Sequence, residues 1–157
     1  MTIQERAQAA KIAGRRILSR SAESRTAALK AVREALNERS EEIFAANKAD
    51  LNRSAAENLA APLMKRLKFD ADKLARVCEG IEALESMDDP MGRILEKREL
   101  DEGLILSRVA GPIGVIGMIF ESRPDALVQI ATLCLRSGNA VILKGGSEAK
   151  ETNRILA

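Results

Sequence analysis

The stretch "IGVIGMIFESRPDALVQIATLCLRSGNAVILKGGSEA", residues 113–149, predicts an α/β protein. Its first part, "IGVIGMIF", is a short apolar run with β-branched residues, which is typical of a buried strand. Pro124 and Asp125 end that strand and begin an apolar helix, and Gly138 is placed as the helix's left-handed C-terminal cap. "AVILK" predicts a second short strand. Strand, helix and strand together make one βαβ unit of a parallel sheet.

Residues 1–89, ahead of this unit, predict a layer of four helices, because apolar residues recur there at steps of three and four. Polar residues suited to capping precede the second, third and fourth helices: Ser21 or Ser24, Ser40, and Asp70 or Asp72. Residues 90–110 predict a β-hairpin about the turn "LDEG", and residues 111–157 the start of the βαβ unit. The last segment begins like a helix without a C-terminal cap, so we expect an incomplete, truncated domain over residues 1–157.

Composition and charge exclude several classes of function. The 25 basic and 23 acidic residues are interspersed, and the only aromatic residues are three phenylalanines, so we expect no nucleic-acid partner. The chain contains no histidine, which excludes Ser-His and Cys-His catalysis and leaves no expected metal site. The charged N-terminus and the short apolar runs predict a cytoplasmic protein without a membrane partner.

Cys78 and Cys134 are far apart and belong to no CxxC pair. This spacing argues against a disulfide framework and a zinc site, and it favours a reducing compartment. Cys134 lies within an apolar helical segment, whereas an activated thiol needs cationic or helix N-terminal surroundings. We therefore expect both cysteines to be inert.

The turn "LKGGSEA" carries the first set of candidate binding residues. Lys144 and Ser147 would supply donors, Gly145 and Gly146 exposed backbone amides ahead of a helix, and Glu148 an acceptor for ribose hydroxyls. The residues alone leave a second explanation open, in which the glycines are present for steric reasons in an ordinary strand-to-helix turn.

The segment "FESRPDA", which contains Glu121, Ser122 and Arg123, follows the other predicted strand. Ligands of open α/β sheets bind at the carboxyl ends of the strands, where this segment and the glycine turn would meet. Arg123 could bind a carboxylate or a phosphate with two hydrogen bonds. The alternative is a surface ion pair between Arg123 and Glu121 or Asp125.

The motifs "GVIGMIFESRPD" and "CLRSGNAVILKGGSEA", together with "ANKADL" followed by "LMKRL", resemble the N-terminal portion of the γ-glutamyl phosphate reductase family. That family is part of the aldehyde dehydrogenase superfamily, and the resemblance covers nearly the whole chain. It implies the start of a Rossmann-like cofactor domain, preceded by the helical layer and the hairpin.

The resemblance also implies a function: the NADPH-dependent reduction of L-glutamyl 5-phosphate to L-glutamate 5-semialdehyde in proline biosynthesis. The family's nucleophilic cysteine is expected beyond Ala157, so the chain alone should be inactive. Lys144 resembles the superfamily residue that contacts the adenosine ribose, and Ser147 and Glu148 follow where contacts to the ribose or its 2′-phosphate are expected.

For the remaining residues, the resemblance implies that Arg123 lies near the acyl-phosphate substrate, with Glu121 and Ser122 beside it. Asp125 stands where relatives commonly have an asparagine. The hairpin of residues 93–108 resembles the superfamily's oligomerisation arm, which implies a homo-oligomer.

Three alternatives to a reductase remain. The chain could be a non-catalytic nucleotide-binding or regulatory module, or a structural helical partner domain in which the glycine turn has no ligand. A fragment of a general aldehyde dehydrogenase is the minor alternative, because "ESRP" stands where those enzymes have an asparagine-bearing turn.

Overall fold

A computed structural model describes all residues, 1–157. The first part of the chain is helical: α1 (Ile3–Leu18), α2 (Ala22–Glu38), α3 (Ser40–Ala56), α4 (Ala61–Leu67) and α5 (Ala71–Ser86). The second part contains β1 (Ile94–Asp101), β2 (Leu104–Val109), β3 (Val115–Ile119), α6 (Pro124–Arg136), β4 (Ala140–Lys144), a 3₁₀ turn (Ser147–Ala149) and α7 (Lys150–Leu156). The predicted α/β class is confirmed.

Two of the three predicted helix N-terminal caps are present in the structure. Ser21 Oγ accepts a hydrogen bond from the Ser24 amide at 3.2 Å, and Asp70 Oδ1 accepts one from the Lys73 amide at 3.1 Å. The predicted cap at Ser40 is wrong, because Ser40 already lies in the first turn of α3. Arg39 joins α2 to α3 directly, and its backbone groups bond to both helices. The short helix α4 was not predicted.

The core lies between the helical layer and α6. Its nine buried side chains come from α2, α3, α5, α6 and the segment before α5: Leu29, Leu36, Ile43, Phe69, Leu74, Val77, Ile81, Leu127 and Val128. Partly buried apolar residues of β4 and α7 pack against this cluster. The helical layer therefore supports the inner face of α6, which in turn fixes the position of the two strands that α6 connects.

Strands β3 and β4 are parallel and hydrogen-bonded, with register pairs from Val115–Ala140 to Ile119–Lys144. The helix between them ends in a left-handed glycine cap at Gly138, where φ is +70°. The Asn139 amide donates to the Cys134 carbonyl at 2.8 Å, and the Gly138 amide to the Leu135 carbonyl at 3.2 Å. This is a Schellman motif, so the βαβ unit and its predicted cap are both confirmed.

The predicted burial of β3 is wrong. Ile119 is 77% exposed, and the side chains of Val115 and Met118 are also exposed. The reason is that β3 has β4 as its sole partner strand, so its other edge and much of its surface remain uncovered in this chain.

The predicted hairpin is present. Strands β1 and β2 pair in antiparallel fashion, and Gly103 occupies their turn with φ of +75°, a conformation that favours glycine. Both strands are exposed along their whole length. No helix of the chain combines the length and the apolar character needed to cross a membrane.

Candidate functional site

The two candidate segments meet at one edge of the parallel sheet. Ile119 and Lys144 are the last register pair of β3 and β4, and the Phe120 amide donates to the Lys144 carbonyl at 3.1 Å. This bond extends the pairing by one residue, so residues 121–123 lie beside residues 145–148. The structure therefore brings the two sets of candidate residues together at one edge, as the sequence predicted.

The turn after β4 offers several groups without partners. The Lys144 side chain is exposed, and its ammonium has no hydrogen-bond or ion-pair partner in the chain. The amides of Gly145 and Gly146 donate no hydrogen bond within the chain. An ammonium and two adjacent amides provide donors suited to phosphate or ribose oxygens.

Both glycines of the turn lie close to other side chains. A Cβ at Gly145 would overlap the Asn153 side chain and approach the Phe120 ring to 3.2 Å, and a Cβ at Gly146 would overlap the Glu148 carboxylate. The steric explanation that the sequence left open therefore applies to Gly145, whereas a Cβ at Gly146 would meet only the movable end of the Glu148 side chain. This packing is compatible with binding, because neither glycine has a side chain of its own that would cover its backbone amide.

The carboxylate of Glu148 is partly occupied within the chain. Its Oε1 accepts hydrogen bonds from the Ser122 amide and, at 3.1 Å, from the Ser122 hydroxyl. Its Oε2 accepts none. Only one of the two oxygens is thus available as the predicted acceptor for ribose hydroxyls. Ser147 is exposed and lies at the start of the 3₁₀ turn.

Arg123 precedes α6 and its side chain is 55% exposed. Its Nη2 lies 3.8 Å from Asp125 Oδ2, and Lys73 Nζ lies 3.7 Å from Asp125 Oδ1. The surface ion pair considered from the sequence is therefore present with Asp125, and Glu121 has no part in it. Asp125 is buried, but the 3.8 Å contact is long and the Arg123 side chain is largely exposed, so the guanidinium remains available to a ligand.

The helix terminus after the glycine turn does not point free amides at the site. The amides of Glu151 and Thr152, at the start of α7, donate to Asp50 of α3 at 3.2 Å and 2.8 Å. The Thr152 hydroxyl donates to Asp50 at 2.7 Å, and Arg53 Nη2 at 2.5 Å. Asp50 is fully buried and caps α7 from another helix. The candidate donors are therefore limited to the turn itself.

Arg53 holds the turn against the helical layer, and Asn47 holds α7. Arg53 Nη2 also donates to the carbonyls of Ser147 and Glu148, at 3.1 Å and 3.2 Å. Asn47 donates to Thr152 Oγ1 at 3.2 Å and accepts from the Phe69 amide at 2.8 Å. Sequence reasoning did not assign these roles. The available signal was the spacing of Asn47 and Asp50, which share one helix face with buried Ile43.

The cysteines are free thiols away from this edge. Burial raises the pKa of both the Cys78 and the Cys134 thiol, which opposes formation of the thiolate that nucleophilic attack requires. The structure contains no cluster of three or more acidic, histidine or cysteine side chains that could hold a metal ion.

Comparisons with known proteins support the resemblance seen in the sequence. The chain is 56% identical over 157 residues to the γ-glutamyl phosphate reductase of Acetivibrio thermocellus, spanning 36% of that protein. The crystal structure of γ-glutamyl phosphate reductase from Saccharomyces cerevisiae covers 100% of this chain with a TM-score of 0.96 and 40% identity, over 40% of its own length. The resemblance is confirmed for the N-terminal part of those enzymes.

A more distant likeness supports the fold alone. The crystal structure of a putative aldehyde dehydrogenase from Bacillus subtilis covers 98% of the chain with a TM-score of 0.72 at 17% identity. No family model matches the chain. The chain spans little more than a third of the length of the curated relatives that it matches.

Proposed function

We propose that this chain is the cofactor-binding part of an NADPH-dependent reductase that converts L-glutamyl 5-phosphate to L-glutamate 5-semialdehyde in proline biosynthesis. The likeness of the chain to the N-terminal part of γ-glutamyl phosphate reductases, along all 157 of its residues, supports the reaction. The single structural observation that carries the cofactor role is the unpartnered Lys144 ammonium beside two free amides, at the strand edge where Arg123 also lies.

The residues of the turn fit the adenosine end of a nicotinamide dinucleotide. The Lys144 ammonium and the amides of Gly145 and Gly146 would donate to ribose or phosphate oxygens, and Glu148 Oε2 would accept from a ribose hydroxyl. Ser147 is the exposed hydroxyl nearest the turn and would contact the 2′-phosphate that distinguishes NADPH from NADH. The cofactor, when bound, supplies the hydride.

On the substrate side, Arg123 would bind the acyl phosphate, with Glu121 and Ser122 beside it. The nucleophile that forms the covalent intermediate is expected in a segment that this chain does not contain, since the thiols of Cys78 and Cys134 are poorly suited to attack. The chain by itself is therefore expected to be catalytically inactive. We place the protein in the cytoplasm, in agreement with its two free cysteines.

Calorimetric titration of the chain with NADPH, and separately with NADH, tests the cofactor role. The wild-type chain should bind NADPH more tightly, and Lys144→Ala should weaken binding about tenfold or more, as expected for loss of a charge-assisted hydrogen bond. Lys150→Ala is the matched control, because Lys150 is another exposed lysine at the start of α7. A wild-type chain that binds neither cofactor, or a Lys144→Ala variant that binds like the control, would contradict the proposal.

The exposed hairpin supports the proposal that the protein forms a homo-oligomer. Apolar side chains of both strands are about half exposed or more, including Leu100, Leu104, Ile105 and Leu106. Such a surface is typical of a protein interface, and a second copy of the chain is the proposed occupant. Sedimentation at micromolar concentration should show an oligomer that Ile105→Lys dissociates, and a wild-type monomer would refute this part of the proposal.

A further inference from the structure

The most informative contact of the site joins its two halves. Glu148 belongs to the proposed cofactor turn, yet its Oε1 accepts both hydrogen bonds that Ser122 offers, from the amide and from the hydroxyl. Ser122 is 2% exposed, so water competes little for these bonds. Glu148 Oε2 has no partner in the chain. One carboxylate therefore faces the substrate loop with one oxygen and can face the cofactor with the other.

The conformation of Ser122 shows why this contact matters. Its φ is +47°, in the left-handed region that a residue with a Cβ adopts only at a cost in energy. The two hydrogen bonds to Glu148 offset that cost and hold the residue there. Arg123 is the next residue, so the direction in which its side chain leaves the loop depends on the backbone of Ser122.

We propose that Glu148 is a positioning residue that couples the two ligand sites: Oε1 holds Ser122, and through it Arg123, in place for the acyl phosphate, while Oε2 binds the cofactor ribose. This inference rests on the proposed function. It differs from a role as a cofactor ligand alone, because it assigns to Glu148 an effect on the substrate that passes through the backbone of another residue.

A rescue experiment separates the two roles. Glu148→Ala should weaken NADPH binding and, at saturating NADPH, raise the KM for L-glutamyl 5-phosphate about tenfold or more, measured in the longest form of the protein that carries this segment. Adding Ser122→Gly should restore most of the lost substrate affinity, because glycine adopts a positive φ without the cost that serine pays. It should not restore NADPH binding, because the Oε2 acceptor is still missing.

Glu151→Ala is the matched control, since its side chain pairs with Arg154 on the same helix and touches neither loop. Its KM for the acyl phosphate should remain near the wild-type value. If Glu148→Ala changes only the affinity for NADPH, or if Ser122→Gly restores nothing, the positioning role is refuted and Glu148 acts on the cofactor alone.

Hydrogen exchange of the Ser122 amide, without any ligand, tests the positioning role independently of activity. The amide should exchange slowly in the wild type and in Ser122→Ala, which keeps the bond from the amide to Glu148, and at least ten times faster in Glu148→Ala. Equal exchange in all three overturns the inference. Failure of the wild type to bind NADPH would instead overturn the proposed function and the ribose contact, and the exchange rates would still decide whether Glu148 holds Ser122.

Discussion

The helical layer and the strands of this chain differ in how far their apolar side chains are buried. In the helical layer, Leu29, Ile43 and Ile81 are at most 1% exposed, and the side chains that cover them come from the same chain. In β3 and the hairpin, Ile119 is 77% exposed and Ile105 is 60% exposed, although both are β-branched and apolar. The same residue types are therefore buried in one region and accessible in the other.

The difference shows that an apolar pattern in the sequence predicts which face of an element is suited to burial. The pattern does not predict which other residues cover that face. The helices are amphipathic and close on one another, whereas each sheet has two strands and keeps uncovered faces and edges. The candidate site lies where the regions meet. Arg53 of the helical layer holds the turn that follows Lys144, and Asp50 holds the start of α7 behind it. The helical layer therefore fixes the geometry of the candidate binding residues.

The largest expected effect separates the two regions directly. Phe69→Ala should lower the free energy of unfolding by about 3–5 kcal/mol, because it leaves a cavity in the helical core. Ile119→Ala, at an exposed position of β3, should change it by about 0.5 kcal/mol or less. Urea unfolding measures both, and a similar loss in the two variants would contradict the contrast between the regions.

A smaller loss should follow from breaking the polar contact between the regions. Asp50→Asn places an amide against donors from Thr152 and Glu151 and removes the charge that Arg53 pairs with. We expect a loss of about 1.5–3 kcal/mol, the range for hydrogen bonds to a charged group. Asp72→Asn, an exposed acid in the first turn of α5, is the control. Equal stability of the two variants in urea would show that the contact contributes nothing.

The smallest effect concerns acid stability within the helical layer. Hydrogen bonds from Arg33 lower the pKa of Glu85, and a hydrogen bond from Lys68 lowers the pKa of Asp70. A carboxyl with a lowered folded-state pKa stabilises the fold fully above its ordinary pKa, and this contribution is lost as the pH falls through the folded-state value.

Glu85→Gln should therefore make the fall in stability between about pH 5 and about pH 2 shallower, since it removes one of these titrating groups. Arg33→Gln should give the same flattening by removing the donor. Thermal unfolding as a function of pH measures the slope, and a slope identical to that of the wild type would refute the assignment.

Local patterns predicted the elements of the fold better than their surroundings. The hairpin and the Gly138 cap depend on residues within a few positions of one another, and both were predicted from the sequence. For the caps of α2 and α5 the sequence left two candidates each, Ser21 or Ser24 and Asp70 or Asp72, and the structure selects Ser21 and Asp70. The prediction of a cap at Ser40 was wrong because α2 and α3 are nearly continuous. The prediction that β3 is buried was wrong because the burial of a strand depends on residues that are distant in the sequence.

The same division holds for the candidate site. The sequence placed Lys144, Glu148 and Arg123 at two strand ends, because strand ends follow from the apolar runs and the turn residues. It gave no indication that Ser122 is left-handed and bound to Glu148, or that Asp50 caps α7 from another helix. Ser122 and Glu148 are 26 positions apart in the sequence, and Asp50 and Glu151 are 101 positions apart.

The α/β class, the βαβ unit, the hairpin and the likeness to γ-glutamyl phosphate reductases can all be recognised from short-range periodicity and motifs in the sequence. The folded arrangement is needed to see which apolar residues are covered, which oxygen of Glu148 is free and how the helical layer holds the glycine turn. The physical reason is that burial and hydrogen-bond partnership are properties of groups brought together by folding, and spacing along the chain does not specify them.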